Sequence, residues 1–182
     1  MTEPFPIRAA TNRPPALKIR RLVYPDLPQV MAIERRVFPT PWSLAMFVLE
    51  LSKQSGICLA AVLEEEDGRR LVGYLICSRY DQVWHVMNVA VDIDRQRAGV
   101  ATALLAELYA RVDDERARFT LEVRRSNHAA IHLYEREGFQ AAGMRRRYYQ
   151  DNGEDALVMW RTPATLRGQL DDVPNPGPIG PI

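Results

Sequence analysis

Residues 121–139, LEVRRSNHAAIHLYEREGF, bring together the residue types best suited to chemistry. In the run RFTLEV, strand alternation puts Phe119, Leu121 and Val123 on one face and Thr120, Glu122 and Arg124 on the other. In the helical pattern that follows, Asn127, Ala130, Ile131 and Tyr134 share a face, so a carboxylate and a phenol that can move protons converge on one cleft. The same residues have structural uses. Glu122 can pair with Arg118 or Arg124 on a solvated strand, Asn127 can cap the helix, and Tyr134 can be a core aromatic with a wet hydroxyl.

A second candidate lies upstream, where Gln96-Arg97-Ala98-Gly99-Val100-Ala101 turns the chain from a strand ending AVD into a helix. Small residues at 98, 99 and 101 let backbone N–H groups approach a ligand, and a helix N-terminus offers unpaired donors and the positive end of a dipole. That suits a pyrophosphate. The loop lacks G-x-G-x-x-G and the P-loop Lys-Ser/Thr pair, which disfavours dinucleotides and nucleoside triphosphates. A tight helix–sheet turn with no ligand uses the same small residues.

The elements that must position these groups follow from periodicity. LKIRRLV reads as a strand, Pro25-Asp26 opens a helix with Leu27, Val30, Met31 and Ile33 as its apolar stripe, and Ser43 caps a second helix after the FPTPW turn. ICLAAVLEE, RLVGYLICSRY and QVWHVMNVAVD form an antiparallel meander with turns at EDGRR and near Asp81. GVATALLAELYARV is a helix and RFTLEV the strand it crosses to; a helix from 126 to 137 then stops at Gly138, and a hairpin closes around Asp151-Asn152-Gly153. The order β-α-α-β-β-β-α-β-α-β-β describes an α+β fold, a mixed sheet with antiparallel strands first and a parallel pair near its middle. One domain is expected over residues 17–162, with a flexible tail at 1–16 and a Pro/Gly-rich tail at 163–182.

Composition narrows the partners. With 24 basic and 23 acidic residues the chain has no global field for nucleic acid or a membrane surface, and no run reaches the ~18 apolar residues of a membrane span. Cys58 and Cys77 sit in apolar runs without metal or disulfide spacing, which points to reduced thiols in an unexported, cytoplasmic protein. His128 and His132, four apart on a helix, lack the companions a metal site needs, and His85 reads as a packed or rim histidine.

The pattern Q/R-x-x-G-x-G/A after AVD, filled by Gln96, Gly99 and Ala101, resembles the acetyl-CoA loop of the GNAT acetyltransferases. The succession NVAVD, QRAGVA, LEVRRSNHAAIHLYEREGF and RRRYYQDNGEDALVM, with FPTPWS near the start, resembles the RimI branch over residues 18–161. Members of that branch acetylate the N-terminal alanine of a small-subunit ribosomal protein. The resemblance implies a GNAT fold with about four helices around the sheet, acetyl-CoA as cosubstrate, no metal, and a protein N-terminus as partner. It also implies cofactor contacts from Val89, Ala90, Val91, Gln96, Arg97, Ala98, Gly99, Val100, Ala101 and Asn127. Glu122 would be the base, directly or through water, and Tyr134 the acid that receives the departing thiolate. Trp42, Tyr148 and Tyr149 would line the peptide entrance. The phosphate loop is less glycine-rich than the branch pattern, and the proline-rich tails have no counterpart in it.

An α-amine ionises near 7.7 to 8.0 and lysine near 10.4, so neutralising lysine at pH 7 costs about 3 kcal/mol more. One carboxylate base therefore fits an α-amine better. Acetylation of a lysine side chain, polyamine or drug remains the nearer alternative, and an acetyl-CoA-binding regulator without turnover the more distant one.

Overall fold

The computed structural model of the chain describes residues 16–65 and 68–174. Its elements follow the expected order: β1 (Ala16–Arg21), α1 (Leu27–Val37), α2 (Leu44–Ser52), β2 (Gly56–Glu65), β3 (Gly68–Tyr80), β4 (Val83–Val91), α3 (Val100–Val112), β5 (Arg118–Arg124), α4 (His128–Arg136), β6 (Gln140–Tyr149) and β7 (Glu154–Arg161). They build one seven-stranded sheet in the order β1-β2-β3-β4-β5-β7-β6. All pairings are antiparallel except β4 with β5.

Strand alternation sends residues to two cores. Leu59, Ala61 and Leu63 of β2 join Leu104, Leu105 and Leu108 of α3 on one face, while Cys58, Ala60 and Val62 meet Leu27, Val30 and Ile33 of α1 and Phe47 of α2 on the other. β3 is buried on both faces from Leu71 to Ser78, so its sequence reads as a continuous apolar run. Both thiols lie inside: burial pushes Cys58 up to about 11 and Cys77 higher still.

Local chemistry differs from the sequence reading in two places. A 3-10 turn, Tyr24–Asp26, precedes α1, and the Asp26 carboxylate accepts from the Val23 N–H and from Arg20 instead of capping the helix. The tail expected from residue 163 differs from the structure as far as residue 174. Ala164 and Thr165 are buried, and Asp172 folds back to accept from the Thr162 hydroxyl and the Ala164 N–H, polar anchors that composition does not reveal. Residues 1–15 and 175–182, and the tip of the EDGRR turn at 66–67, lie outside the described residues.

Gly73 sits where β3, β4 and α3 close on one another. A Cβ there would lie 2.9 Å from the Ala90 carbonyl oxygen and 3.1 Å from a Val100 methyl. Gly73→Ala should therefore destabilise by about 1–3 kcal/mol, seen as a lower urea midpoint at unchanged slope.

Candidate active site

The site begins where the parallel pair ends. β4 and β5 are in register only at Val83–Arg118, Trp84–Phe119 and His85–Thr120, although β4 runs on to Val91 and β5 to Arg124. On its other side β4 stays paired with β3 through a bulge: Ile76 faces Asn88 and Cys77 faces Val86, leaving Met87 as the extra residue. Past His85, the β4 backbone groups that point toward β5 have no strand partner in that register. Backbone groups so placed need another partner.

A cleft of about 480 Å³ occupies this opening. Val89, Ala90 and Val91 of β4 form one wall, Gln96, Arg97, Gly99, Val100 and Ala101 the floor, and Asn127 and Tyr134 of α4 the opposite wall. Gly99 has φ 78°, a left-handed conformation in which a β-carbon is strained, and no side chain caps α3. The first helical bond is Ala103 N–H to the Gly99 carbonyl, which leaves the earlier N–H groups of the helix for a ligand. Gln96 pins the loop by donating to the Val91 carbonyl at 3.2 Å.

Asn127 serves both readings given to it. Its Oδ1 accepts from the Ala130 N–H as the α4 N-cap, and the residue lines the cleft. Tyr134 is 9% exposed, packs its ring edge-on to Phe139, and borders the same cleft. Burial, and then Tyr149, push its phenol pKa well above the ordinary value, so the hydroxyl stays protonated and able to donate.

Glu122 does not border that cleft. It belongs to an adjoining cluster with Arg145, His85, Tyr148 and Tyr149, where Arg145 Nη2 lies 3.0 Å from its Oε1. Neither arginine suggested by strand spacing is its partner: Arg118 donates to the Asp172 carbonyl and Arg124 to Asp151 and Glu154. The cause is β7, which inserts between β5 and β6 and sets Arg124, Ala156 and Arg145 in one cross-strand row. Glu122 stands one row over, opposite Val158, so Arg145 meets it diagonally across β7. Burial, and Arg145 beside it, lower the His85 pKa despite the nearby Glu122, so His85 is neutral near pH 7. Tyr149 is within electrostatic reach of both Tyr134 and Glu122 and thus stands between cleft and cluster.

The hairpin that presents Tyr148 and Tyr149 is fastened by Arg124. Its guanidinium lies 3.8 Å from the Tyr149 ring centroid, its Nη2 donates to Asp151 at 2.9 Å from each carboxylate oxygen, and its Nη1 reaches Glu154 at 3.2 Å. Arg147 takes a left-handed φ of 52° in the irregular stretch of β6, held by its N–H donating to Asp155 at 2.8 Å. Trp42 packs its ring on Phe47 and donates its N–H to Glu34. Ala98, also expected at the cofactor, is exposed in the loop but does not border the cleft.

Three groups escape the sequence reading. Arg136 borders the cleft at helical spacing from Ala129 and Leu133, a signal that was present, and Arg95 joins it from the loop. Glu34, 1% exposed under β4, looks in sequence like any polar position of an amphipathic helix.

Arg124→Ala separates the hairpin contacts. Asp151 owes its lowered pKa first to Arg124 and should return to the ordinary carboxylate range in an NMR titration. Glu154, held at about 2 first by Ser126, should stay low. Stability should fall slightly near neutrality. A lowered carboxylate stabilises above its unfolded pKa and loses that contribution as pH falls through the folded value, so wild type and variant should converge in acid.

Comparison with known proteins agrees with this geometry. The family model described as acetyltransferase (GNAT) family matches residues 27–139. The ribosomal protein bS18-alanine N-acetyltransferase of Escherichia coli strain K12 is 38% identical over 137 residues, 74% of this chain and 89% of that protein. The N-alpha-acetyltransferase RimI of Mycobacterium tuberculosis is 35% identical over 167 residues, 88% of this chain and 94% of that one. The crystal structure of the Escherichia coli ribosomal-protein-S18-alanine N-acetyltransferase superposes with a TM-score of 0.71, covering 81% of this chain and 94% of that one at 34% identity. A family model spanning most of the fold, together with relatives aligned over most of their length, makes this chain a RimI-like member of the GNAT acetyltransferase family.

Proposed function

We propose that the protein transfers the acetyl group of acetyl-CoA to the N-terminal α-amine of a protein, with an alanine-initiated small-subunit ribosomal protein as substrate. The observation that carries this reading is the opening between β4 and β5, with the uncapped start of α3 at its floor, Tyr134 on one wall and Glu122 just beyond. The names of the relatives supply the amine and the ribosomal protein. A ribosomal substrate of this kind calls for an enzyme that works in the cytoplasm.

The residues fit acetyl-CoA. N–H groups at the start of α3 suit the pyrophosphate, and the free edge of β4 suits an extended chain of amides. Arg95, Arg97 and Arg136 border the cleft where an anionic cofactor needs cations. Acetyl-CoA supplies the thioester. Glu122, directly or through water, takes a proton from the substrate ammonium, and the neutral amine attacks the carbonyl carbon. N–H groups along residues 89–91 stabilise the oxyanion; as the C–N bond forms and the C–S bond breaks, Tyr134 gives its proton to the departing sulfur, and the second proton shed by the new amide nitrogen returns through water to the phenol. Tyr148, Tyr149 and Trp42 border the path of the incoming peptide in this reading.

The test is thiol release from acetyl-CoA with a short alanine-initiated peptide, the same peptide N-terminally blocked as control, and product mass as readout. Acetylation of the free α-amine, abolished by blocking, is expected; acetylation of lysine or spermine instead would overturn the choice of amine. Tyr134→Phe and Glu122→Gln should each lower kcat about 10²–10⁴-fold with the acetyl-CoA KM little changed.

A further inference from the structure

Glu34 carries an arrangement that the acetyl-transfer chemistry does not use. It sits in α1 at 1% exposure, and no Lys or Arg among the described residues pairs with it. Its carboxylate is surrounded by donors: the Trp42 N–H at 2.8 Å, the Asn88 side-chain amide at 3.3 and 3.4 Å, and the Tyr74 hydroxyl. Its own carbonyl accepts from the Phe38 N–H at 3.0 Å. One residue thus closes the 38–42 loop at both ends. The prolines at 39 and 41 have no N–H to offer, which makes Trp42 the donor that fastens the far end.

The loop held in this way borders the reaction from two sides. Val37 and Phe38 line the cofactor cleft where the loop begins, and Thr40 lies near enough to Asp151, at the tip of the β6–β7 hairpin, to help lower the pKa of that carboxyl. Asn88, another of the donors, immediately precedes Val89, which lines the cleft from β4. Glu34 therefore joins the loop to the strand that faces it across the opening. Packing alone does not ask for a charge here. Burial opposes ionisation and raises the Glu34 pKa, and an uncompensated buried carboxylate costs stability that a neutral residue of the same shape does not.

We propose that Glu34 is a positioning residue for the amine substrate: its carboxylate ties the 38–42 loop to Asn88 of β4 and so fixes the gap through which the peptide N-terminus reaches the thioester. The inference rests on the acetyl-transfer reading for its purpose and on the four hydrogen bonds for its substance. Glu34→Gln keeps the volume and removes the charge, but it presents an NH2 group to a site built from donors, so at least one of them loses its acceptor.

Amide exchange measured by NMR reads the loop, and steady-state kinetics with acetyl-CoA and the alanine-initiated peptide read its consequence. In Glu34→Gln the Trp42 amide should exchange faster while amides of β3 are unchanged and any fall in Tm stays within a few degrees. The peptide KM should rise about tenfold, with the acetyl-CoA KM within about twofold of wild type. Glu34→Ala should show the same split even if its Tm falls. Unchanged Trp42 exchange in the folded variants would overturn the proposal, as would faster exchange with an unchanged peptide KM. A joint rise of both KM values with faster β3 exchange would reduce Glu34 to a core residue. Wild-type protein that leaves the peptide unmodified refutes the choice of amine, not the loop assignment; the exchange measurement still decides whether Glu34 holds the loop.

Discussion

Two strands of one sheet that pair for three residues and then part impose a condition on everything around them. Backbone N–H and C=O groups at the middle of a sheet cannot be left dry and unpaired, so the opening between β4 and β5 must admit water or a ligand that behaves like a strand. The rest of the fold keeps that opening in place. The bulge at Met87 re-aims β4, Gly73 lets α3 close against the sheet beneath it, and α3 and α4 both begin beside the gap. A helix start without a side-chain cap at one end of the gap and a buried phenol on its wall give it direction, which in the proposed reading puts phosphate at one end and thiol at the other.

The groups that border the opening are held by polar contacts in shells of unequal exposure. Glu34 is fully buried and satisfied by donors alone, whereas Arg124, Asp151 and Glu154 fasten the hairpin near solvent, where salt and pH weaken them. The hairpin is consequently the softer border of the opening and the 38–42 loop the firmer one.

Most of the fold was legible because its signals are local. Alternation marked β5, the stripe of Val100, Leu104, Leu105 and Leu108 marked α3, and Gly138, at φ 87°, ends α4 where expected. The loop at residues 96–101 and the face of α4 from Asn127 to Tyr134 were equally readable, since one is a turn chemistry and the other a helical period. What escaped depends on contacts distant in sequence. Arg145 is Glu122's partner only because β7 returns between β5 and β6, and no spacing within either strand announces that. Glu34 draws its donors from residues 42, 74 and 88, and the segment past Thr162 is ordered by Asp172, ten residues on.

The two cysteines have a practical consequence. Cys58 and Cys77 lie on neighbouring strands offset by one position, Cys58 facing Ile76 and Cys77 facing Ile57, so they point to opposite faces of the sheet and cannot bridge without breaking the register. Both are buried, and burial holds both thiols protonated at neutral pH. A reagent that counts thiolates in solution is therefore blind to the folded protein and sees only what the reaction sets free. When the chain unfolds, two thiols per molecule come into view, and the same colour change becomes a gauge of how much of the preparation is still folded.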